Sequence, residues 1–437
     1  MSQLAIKGGT KVRNTLFPAY ITVGMEEERA VMEVLRSGVL SRFLGTWHED
    51  FYGGPQVRAL EAEWAEYFGV KHAIAVNSAT SGLYCAMGAT GVGPGDEVIV
   101  SPYTMTASAA AILVYNAIPV FADIEEDYFC LDADSTEAKI TTNTRAIIVV
   151  DIFGQPYDAE RINTIAKRYN LLVIEDAAQA PGARYKGKYA GTLGDIGVFS
   201  LNYHKHIHSG EGGIVVTDND ELAEKVQLIR NHAEAVVEGM GRSNLVNMLG
   251  FNYRMTEVEA AISREQLKKL GPLLSARREN VAYLEESLST IPALVMPEVR
   301  SGCDHSYYAH ALKFKREIAG LSRETFVDAV RAELMPAELR EKEGVTLGSG
   351  YVKPLYLEPL YQQQIVYGDK GCPFSCAFYQ GKVDYSAGLC PVCEKMHYQE
   401  LITHEFMRPS MCREDLNDVV KAFLKVWENK GELKMGG

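Results

Sequence analysis

The feature that most restricts the fold of this chain is a series of short, continuously apolar segments between residues 72 and 217. Successive side chains of a strand face opposite sides of its sheet, so a strand with no polar positions is buried on both faces. Sheets covered by helices on both faces are mostly parallel. We therefore predict an α/β domain with strands near residues 72–76, 97–100, 118–122, 146–151, 171–174, 196–200 and 214–216.

Helical patterns alternate with these segments, and the longest one follows them at residues 256–288. This pattern contains Gly271-Pro272, and proline removes a backbone donor from a helix, so we predict a break there. The mixed pattern that follows predicts a smaller α+β lobe. The expected domains are residues 1–270, a large domain with an N-terminal entry segment, and residues 271–437.

The charge balance excludes some classes of partner. The 437 residues include 44 Lys and Arg against 57 Asp and Glu, a net charge of −13. Sequence-independent nucleic-acid binding needs a basic surface, so no nucleic-acid partner is expected. The N-terminus has no apolar signal region, and no apolar stretch is long enough to span a membrane. We expect a cytoplasmic protein without membrane contact.

A loop between two predicted strands presents Lys205. Ser200 ends the first of these strands, and Gly210, Gly212 and Gly213 return the chain into the next. Burial lowers the pKa of a lysine, and its neutral amine is then a nucleophile toward an aldehyde. A solvated surface lysine is the ordinary alternative.

Two other stretches could contact a charged cofactor. Asp176 follows an apolar strand, where a carboxylate can keep a pyridine nitrogen protonated or simply cap a turn. The small and hydroxyl residues 78–82 lie between a strand and a helix. Backbone N–H groups at such a helix start can bind phosphate, although an ordinary helix cap has the same composition.

Taken together and in this order, the stretches 76–82, 175–182 and 200–213 resemble the pyridoxal-phosphate-dependent sugar aminotransferases of the DegT/DnrJ/EryC1/StrS family. The resemblance covers nearly the whole chain and includes Phe153-Gly-Gln-Pro156 and Gly250-Phe-Asn252. It implies the fold-type I (aspartate aminotransferase-like) architecture, with a mostly parallel seven-stranded sheet and a smaller C-terminal domain. The implied cofactor is pyridoxal 5'-phosphate, which alternates with pyridoxamine phosphate.

The same resemblance assigns roles to single residues. Lys205 would bond to the cofactor and move protons, and Asp176 would pair with the pyridine nitrogen, which makes these two the expected catalytic residues. The expected cofactor-binding residues are Ala79, Thr80, Met105, Asp176, Gln179, Ser200, Lys205 and Asn252. Gln179 would lie near the ring hydroxyl, whereas the Ala79 backbone, Thr80 and Ser200 would hold the phosphate. Asn252 would reach the phosphate of the neighbouring subunit, which implies a homodimer with shared active sites.

One position departs from the family pattern. The family usually has an aromatic residue that stacks on the pyridine ring where this chain has Met105. A thioether can pack on a ring face, and Tyr103 could also take over the stacking. The two alternatives stay open at this point.

The resemblance also implies a reaction, the transfer of an amino group from glutamate or glutamine to a ketone. The acceptor would be a keto sugar, free or nucleotide-linked, or a keto cyclitol. Residues 371–377 and 383–394 are similar to inosose (cyclitol) aminotransferases, which favours a ring ketone without a nucleotide. A dehydratase of the same family, which has His in place of the lysine, and a cofactor-binding regulator without turnover are the alternatives.

Histidines and cysteines raise the question of a metal. His204, His206 and His208 alternate around Lys205 without acidic ligands nearby, so no metal is expected there. Four late cysteines have a spacing that is compatible with tetrahedral zinc: Cys372, Cys376, Cys390 and Cys393. We favour cysteines that are reduced and metal-free, in a loop (residues 367–394) that packs near the active-site mouth and shapes acceptor choice.

Overall fold

The computed structural model describes residues 3–434. Its strands are β1 (His72–Val76), β2 (Glu97–Val100), β3 (Ile118–Phe121), β4 (Thr144–Val150), β5 (Leu172–Asp176), β6 (Arg184–Tyr185), β7 (Lys188–Tyr189), β8 (Ile196–Ser200), β9 (Gly213–Thr217), β10 (Leu294–Val295), β11 (Cys303–Asp304), β12 (His310–Phe314), β13 (Leu347–Ser349) and β14 (Leu401–His404). Its α-helices are α1 (Met25–Ser37), α2 (Pro55–Phe68), α3 (Ala79–Thr90), α4 (Thr106–Val114), α5 (Ala133–Ala138), α6 (Ala159–Tyr169), α7 (Asp220–Arg230), α8 (Glu257–Leu288), α9 (Arg316–Ala319), α10 (Arg323–Glu333), α11 (Pro359–Gln363), α12 (Pro391–Lys395), α13 (Arg413–Glu428) and α14 (Gly431–Lys434).

The large domain contains a seven-stranded sheet in the order β1-β9-β8-β5-β4-β2-β3. Strand β9 is antiparallel to both neighbours, and the other adjacent pairs are parallel. This confirms the mostly parallel sheet, with each predicted strand within two residues of its observed position. Since parallel strands end at one edge, Asp176 at the end of β5 and Ser200 at the end of β8 lie on the same side.

Helix α3 packs very closely on this sheet. Ser78 caps it by accepting a hydrogen bond from the Ser81 N–H at 3.0 Å. A Cβ atom placed on Gly82 would lie 2.8 Å from Cγ1 of Val198, so only glycine permits this approach. The close packing brings the N-terminus of α3 to the carboxyl edge of the sheet.

The predicted break in the long helix is wrong, because α8 is continuous through Pro272. Proline removes one hydrogen bond to the preceding turn, and its ring crowds the carbonyl there, so packing has to offset both costs. Leu270 and Leu274 on either side are buried in a core cluster with residues of α2 and β9, and this packing keeps the helix continuous past the proline. The proposed domain boundary at residue 270 lies inside α8 and stays a prediction.

The C-terminal part has a four-stranded antiparallel sheet in the order β10-β12-β14-β13. Its core combines Phe314 of β12, Phe326 of α10, and Val419 and Phe423 of α13. This is the predicted α+β lobe. Among the helices of residues 3–434, none combines the length and the apolar character needed to cross a membrane.

The loop of residues 367–394 lies along β3, the outer strand of the large sheet. The Tyr385 hydroxyl donates to the Pro119 carbonyl at 2.6 Å, and the Tyr379 hydroxyl donates to the Glu97 carboxylate at 2.8 Å. Glu97 begins β2, at the edge opposite to the carboxyl ends. None of the residues that line the cavity of the same chain comes from this loop, so the expected place at the active-site mouth is not found there, and a role in acceptor choice stays a prediction.

The four late cysteines are not equivalent. Cys372 and Cys376 form a disulfide, so the expectation that all four are reduced is wrong. Cys390 and Cys393 are buried free thiols beside α12, whose first N–H groups donate to the Asp123 carboxylate. In the part of the chain that the structure describes, no group of three or more His, Cys, Asp or Glu side chains is arranged to hold a metal.

Candidate active site

A cavity of about 340 Å³ opens at the carboxyl edge of the large sheet. Seven of the eight residues predicted to bind the cofactor line it: Ala79, Thr80, Met105, Asp176, Gln179, Ser200 and Lys205. They come from four separate parts of the sequence, and the crossovers of the sheet bring them together. In an open α/β sheet this edge is where ligands bind.

Lys205 extends into this cavity from the loop after β8. Its Nζ lies 4.3 Å from the centroid of the Tyr308 ring, which also lines the cavity. Burial lowers the pKa of Lys205 to about 8, and the charges of Asp176 and Glu405 limit the decrease. A substantial fraction of the amine is therefore neutral near physiological pH, as a nucleophile requires.

Asp176 is a buried carboxylate at the end of β5. Its Oδ2 accepts a hydrogen bond from the Ser108 hydroxyl at 2.7 Å, and its Oδ1 accepts from the Ala178 N–H at 3.1 Å. Burial raises the pKa of Asp176, although these hydrogen bonds and Lys205 oppose the increase. Within residues 3–434 no cationic side chain forms an ion pair with this buried carboxylate, so a protonated pyridine nitrogen would stabilise its charge.

Hydrogen bonds to both the oxygen and the nitrogen of its side-chain amide hold Gln179 in place. Its Oε1 accepts from the Phe153 N–H at 2.7 Å, and its Nε2 donates to the Tyr351 hydroxyl at 3.0 Å. Phe153 has φ of 57°, a conformation in the left-handed region that turns its N–H toward Gln179. The Phe153-Gly-Gln-Pro156 stretch thus supports the wall of the cavity.

The start of α3 forms a cradle for an anion. Among the described residues, no acceptor pairs with the N–H groups of Ala79 and Thr80, and both residues line the cavity beside Ser200. A Cβ atom on Gly213 would lie 2.6 Å from the Ala79 nitrogen. The glycine therefore leaves room for the helix start, whose N–H groups and dipole attract a phosphate.

The structure separates the two alternatives for the stacking position. Tyr103 is fully buried, its hydroxyl accepts from the Tyr351 N–H at 2.9 Å, and it does not line the cavity. Met105 lines the cavity and is 57% exposed. Of the two residues, only Met105 can contact a ring bound in this cavity.

Asn252 is the predicted site residue that lies elsewhere. It is exposed, and its Oδ1 accepts from the Arg254 Nε at 2.8 Å. It does not line the cavity of its own chain. This location is compatible with the predicted contact to a neighbouring subunit, which stays a prediction.

The histidines around Lys205 have separate environments. His206 is buried, and its Nε2 donates to the Ser306 carbonyl at 2.9 Å. Burial lowers its pKa well below the ordinary value. His204 lines the cavity and packs on Tyr203, with ring centroids 3.7 Å apart. No metal role follows from these contacts.

Ser108, Tyr308 and Tyr351 are among the residues at the site that the sequence did not predict. Ser108 binds Asp176, and Tyr308 and Tyr351 line the cavity. The position of Ser108 in the first turn of α4 offered a weak signal. The two tyrosines lie far along the chain from the motifs of the large domain, and no local pattern around them indicates that they reach this cavity.

The chain is similar to known aminotransferases. The model of the DegT/DnrJ/EryC1/StrS aminotransferase family matches residues 26–424. The L-glutamine:2-deoxy-scyllo-inosose aminotransferase of Streptoalloteichus tenebrarius is 31% identical over 448 residues, which cover 99% of this chain and 99% of that protein. The GDP-perosamine synthase of Caulobacter vibrioides is 43% identical over 256 residues, covering 58% of this chain and 67% of that protein.

A solved structure matches over most of the chain as well. The aminotransferase from Psychrobacter cryohalolentis is 27% identical, with a TM-score of 0.79, and the match covers 94% of this chain and 99% of that one. The predicted fold-type I architecture is confirmed.

Proposed function

The chain belongs to the DegT/DnrJ/EryC1/StrS aminotransferase family, and we propose that it uses pyridoxal 5'-phosphate to move an amino group from glutamine or glutamate to a sugar or cyclitol ketone. The observation that supports this most is the convergence of Lys205, Asp176 and the α3 N-terminus in one cavity. These residues supply a nucleophilic amine, an anion for a ring nitrogen and a cradle for phosphate.

In this proposal some residues of the cavity bind the cofactor and Lys205 transfers protons. The N–H groups of Ala79 and Thr80 and the Ser200 hydroxyl bind the phosphate, and Asp176 keeps the proton on the pyridine nitrogen. When bound, the cofactor supplies an aldehyde that takes up the amino group and a ring that accepts electrons. Lys205 accepts a proton from the substrate carbon at its Nζ and returns it, which its pKa of about 8 allows near neutral pH.

The family alternative with His at the lysine position is disfavoured. The side chain that lies over the Tyr308 ring is that of Lys205, and His206 is committed to the Ser306 carbonyl. A dehydratase of the kind considered above lacks this lysine. A regulator without turnover would not need a lysine whose pKa is lowered by burial.

We also propose a homodimer in which Asn252 reaches the neighbouring site. Apolar side chains close to Asn252 in the sequence are exposed in the single chain, with Leu245 at 57%, Val246 at 55% and Leu249 at 66%. A second copy would cover them, which removes apolar surface from water. The cytoplasmic location predicted from the sequence stays a prediction.

The test is direct. Purified protein should absorb visible light, and borohydride reduction should attach the cofactor to Lys205, as peptide mass spectrometry can show. Glutamine or glutamate should abolish the visible band, and a keto sugar or inosose should restore it. A label on another lysine, or no response to either donor, would refute the proposal.

A further inference from the structure

A second cavity of about 270 Å³ adjoins the Lys205 cavity, and Tyr308 and Tyr351 line both. Its other walls come from the C-terminal part of the chain and include Arg340, Glu343 and Glu405. A molecule that reacts near Lys205 Nζ, 4.3 Å from the Tyr308 ring, can extend past that ring into the second cavity. The charges of this cavity therefore bear on the nature of the acceptor.

The two carboxylates of the second cavity are held by arginine. Arg340 donates from Nη1 to Glu405 Oε2 at 2.7 Å and from Nε to Glu343 Oε2 at 2.9 Å, and Arg408 also pairs with Glu405 Oε2. The hydrogen bond from Arg340 lowers the pKa of Glu343. Burial raises the pKa of Glu405, but Arg408 and Arg340 bring it below the ordinary value. Both carboxylates are thus ionised.

Each carboxylate keeps one oxygen for a ligand. Within residues 3–434, no protein donor binds Oε1 of Glu343 or Oε1 of Glu405. Ionised, pre-oriented carboxylate oxygens make strong hydrogen bonds with hydroxyl groups. Two such acceptors beside one guanidinium suit a ligand with several hydroxyl groups.

The same charges disfavour a diphosphate. The two positive charges at this cavity, those of Arg340 and Arg408, are already paired with the carboxylates of Glu343 and Glu405. His404 also lines the cavity, but burial lowers its pKa well below the ordinary value, and its Nε2 lies 2.9 Å from His310 Nδ1. An anionic ligand would therefore meet two carboxylates while both arginines are already engaged with them, which is unfavourable.

We propose that the cavity of Arg340, Glu343 and Glu405 binds the hydroxyl groups of an uncharged, polyhydroxylated ring ketone, the amino acceptor. This inference rests on the proposed function and narrows it to acceptors without a nucleotide. The Oε1 atoms of Glu343 and Glu405 accept hydrogen bonds from ring hydroxyls, while the carbonyl carbon lies on the Lys205 side of Tyr308.

The test separates the acceptor from the donor. Holoenzyme that carries the cofactor as pyridoxamine phosphate is mixed rapidly with 2-deoxy-scyllo-inosose. The rate at which visible absorbance returns, measured at several inosose concentrations, gives the inosose concentration at half-saturation. Glu343→Gln should raise this concentration about tenfold, since a hydrogen bond to a charged group is replaced by a neutral one. The same substitution should change the glutamine concentration at half-saturation of the donor half-reaction by a factor at least five times smaller than its effect on the inosose concentration.

Glu341→Gln is the matched control, because Glu341 is exposed in the same short helical turn and does not line the cavity. It should change neither half-reaction. Glu343 is itself 41% exposed at its side chain, so the test variant keeps the fold. Circular dichroism and the melting temperature should be unchanged in both variants.

A nucleotide-linked acceptor gives the opposing result. If a GDP-linked 4-keto-6-deoxyhexose reacts with wild-type enzyme and the inosose does not, the inference is overturned. It is also overturned if Glu343→Gln improves use of the GDP-linked sugar and leaves the inosose unchanged, or if neither acceptor responds to the substitution. Failure of glutamine and glutamate to convert the wild-type holoenzyme would instead refute the proposed function.

Discussion

The lowered pKa of Lys205 predicts how the cofactor-free protein captures pyridoxal phosphate at different pH values. An ordinary lysine has a pKa near 10.5, whereas that of Lys205 is about 8. At pH 7 about one-tenth of Lys205 is then neutral, roughly 300 times more than for an ordinary lysine. The rate of capture should rise with pH and level off above a midpoint near 8.

The charge of Asp176 determines in which direction a substitution there should move the pKa of Lys205. A nearby carboxylate favours the ammonium form, so it raises the pKa of Lys205 against the effect of burial. Asp176→Asn removes the charge, keeps an acceptor for the Ser108 hydroxyl, and should move the midpoint of capture about one unit lower. Capture at pH 7 should therefore become faster, even though turnover is lost.

Stopped-flow absorbance of the apoprotein, mixed with pyridoxal phosphate between pH 6 and pH 10, measures both midpoints. The control is Lys186→Ala, which removes an exposed lysine that pairs with Glu160 at the surface. It should leave the midpoint at 8. A wild-type midpoint near 10.5, or a midpoint that rises in Asp176→Asn, would show that burial does not set the reactivity of Lys205.

Three further predictions concern the surroundings of this amine. Ser108→Ala should lower turnover about tenfold and weaken cofactor binding, because Asp176 loses its hydroxyl donor. Ser108→Thr keeps a hydroxyl and should retain more activity than Ser108→Ala when each variant is titrated with cofactor. Gly213→Ala should raise the Kd for pyridoxal phosphate more than tenfold, since its Cβ would lie 2.6 Å from the nitrogen that starts α3; equal Kd values would contradict the proposed cradle. A mixed dimer with Lys205→Ala in one chain and Asn252→Asp in the other should keep about half of the wild-type activity per dimer, measured on tag-purified heterodimers, whereas either homodimeric variant should be nearly inactive.

Local sequence determined the secondary structure of the large domain and the identity of its chemical groups. Strands such as β5 and β8 were found because they begin with runs of apolar residues, a property that burial on both faces imposes, and polar residues occur only where each strand ends. Asp176 was found because it lies at the end of such a strand, and Lys205 because it lies in the loop after one. Motifs of this kind are local, so a single sequence displays them.

Contacts between distant parts of the chain were decided by the tertiary structure. Pro272 has the local character of a helix breaker, yet packing around Leu270 and Leu274 keeps α8 continuous. Tyr351 accepts a hydrogen bond from Gln179, which is 172 residues away in the sequence, and no periodic pattern predicts such a pair. The position of loop 367–394 along β3 was likewise invisible, because its tyrosines pair with a carbonyl and a carboxylate of other strands.

The sequence by itself thus determined the family, the sheet and the chemical groups around Lys205, since these depend on residue type and on spacing along the chain. Only the tertiary structure decided that Met105 rather than Tyr103 reaches the cavity, and that Glu343 and Glu405 form a second cavity beside it. The physical reason is that burial and charge pairing are properties of neighbours in space. A side chain acquires its pKa, its partners and its access to a ligand only when the folded chain surrounds it.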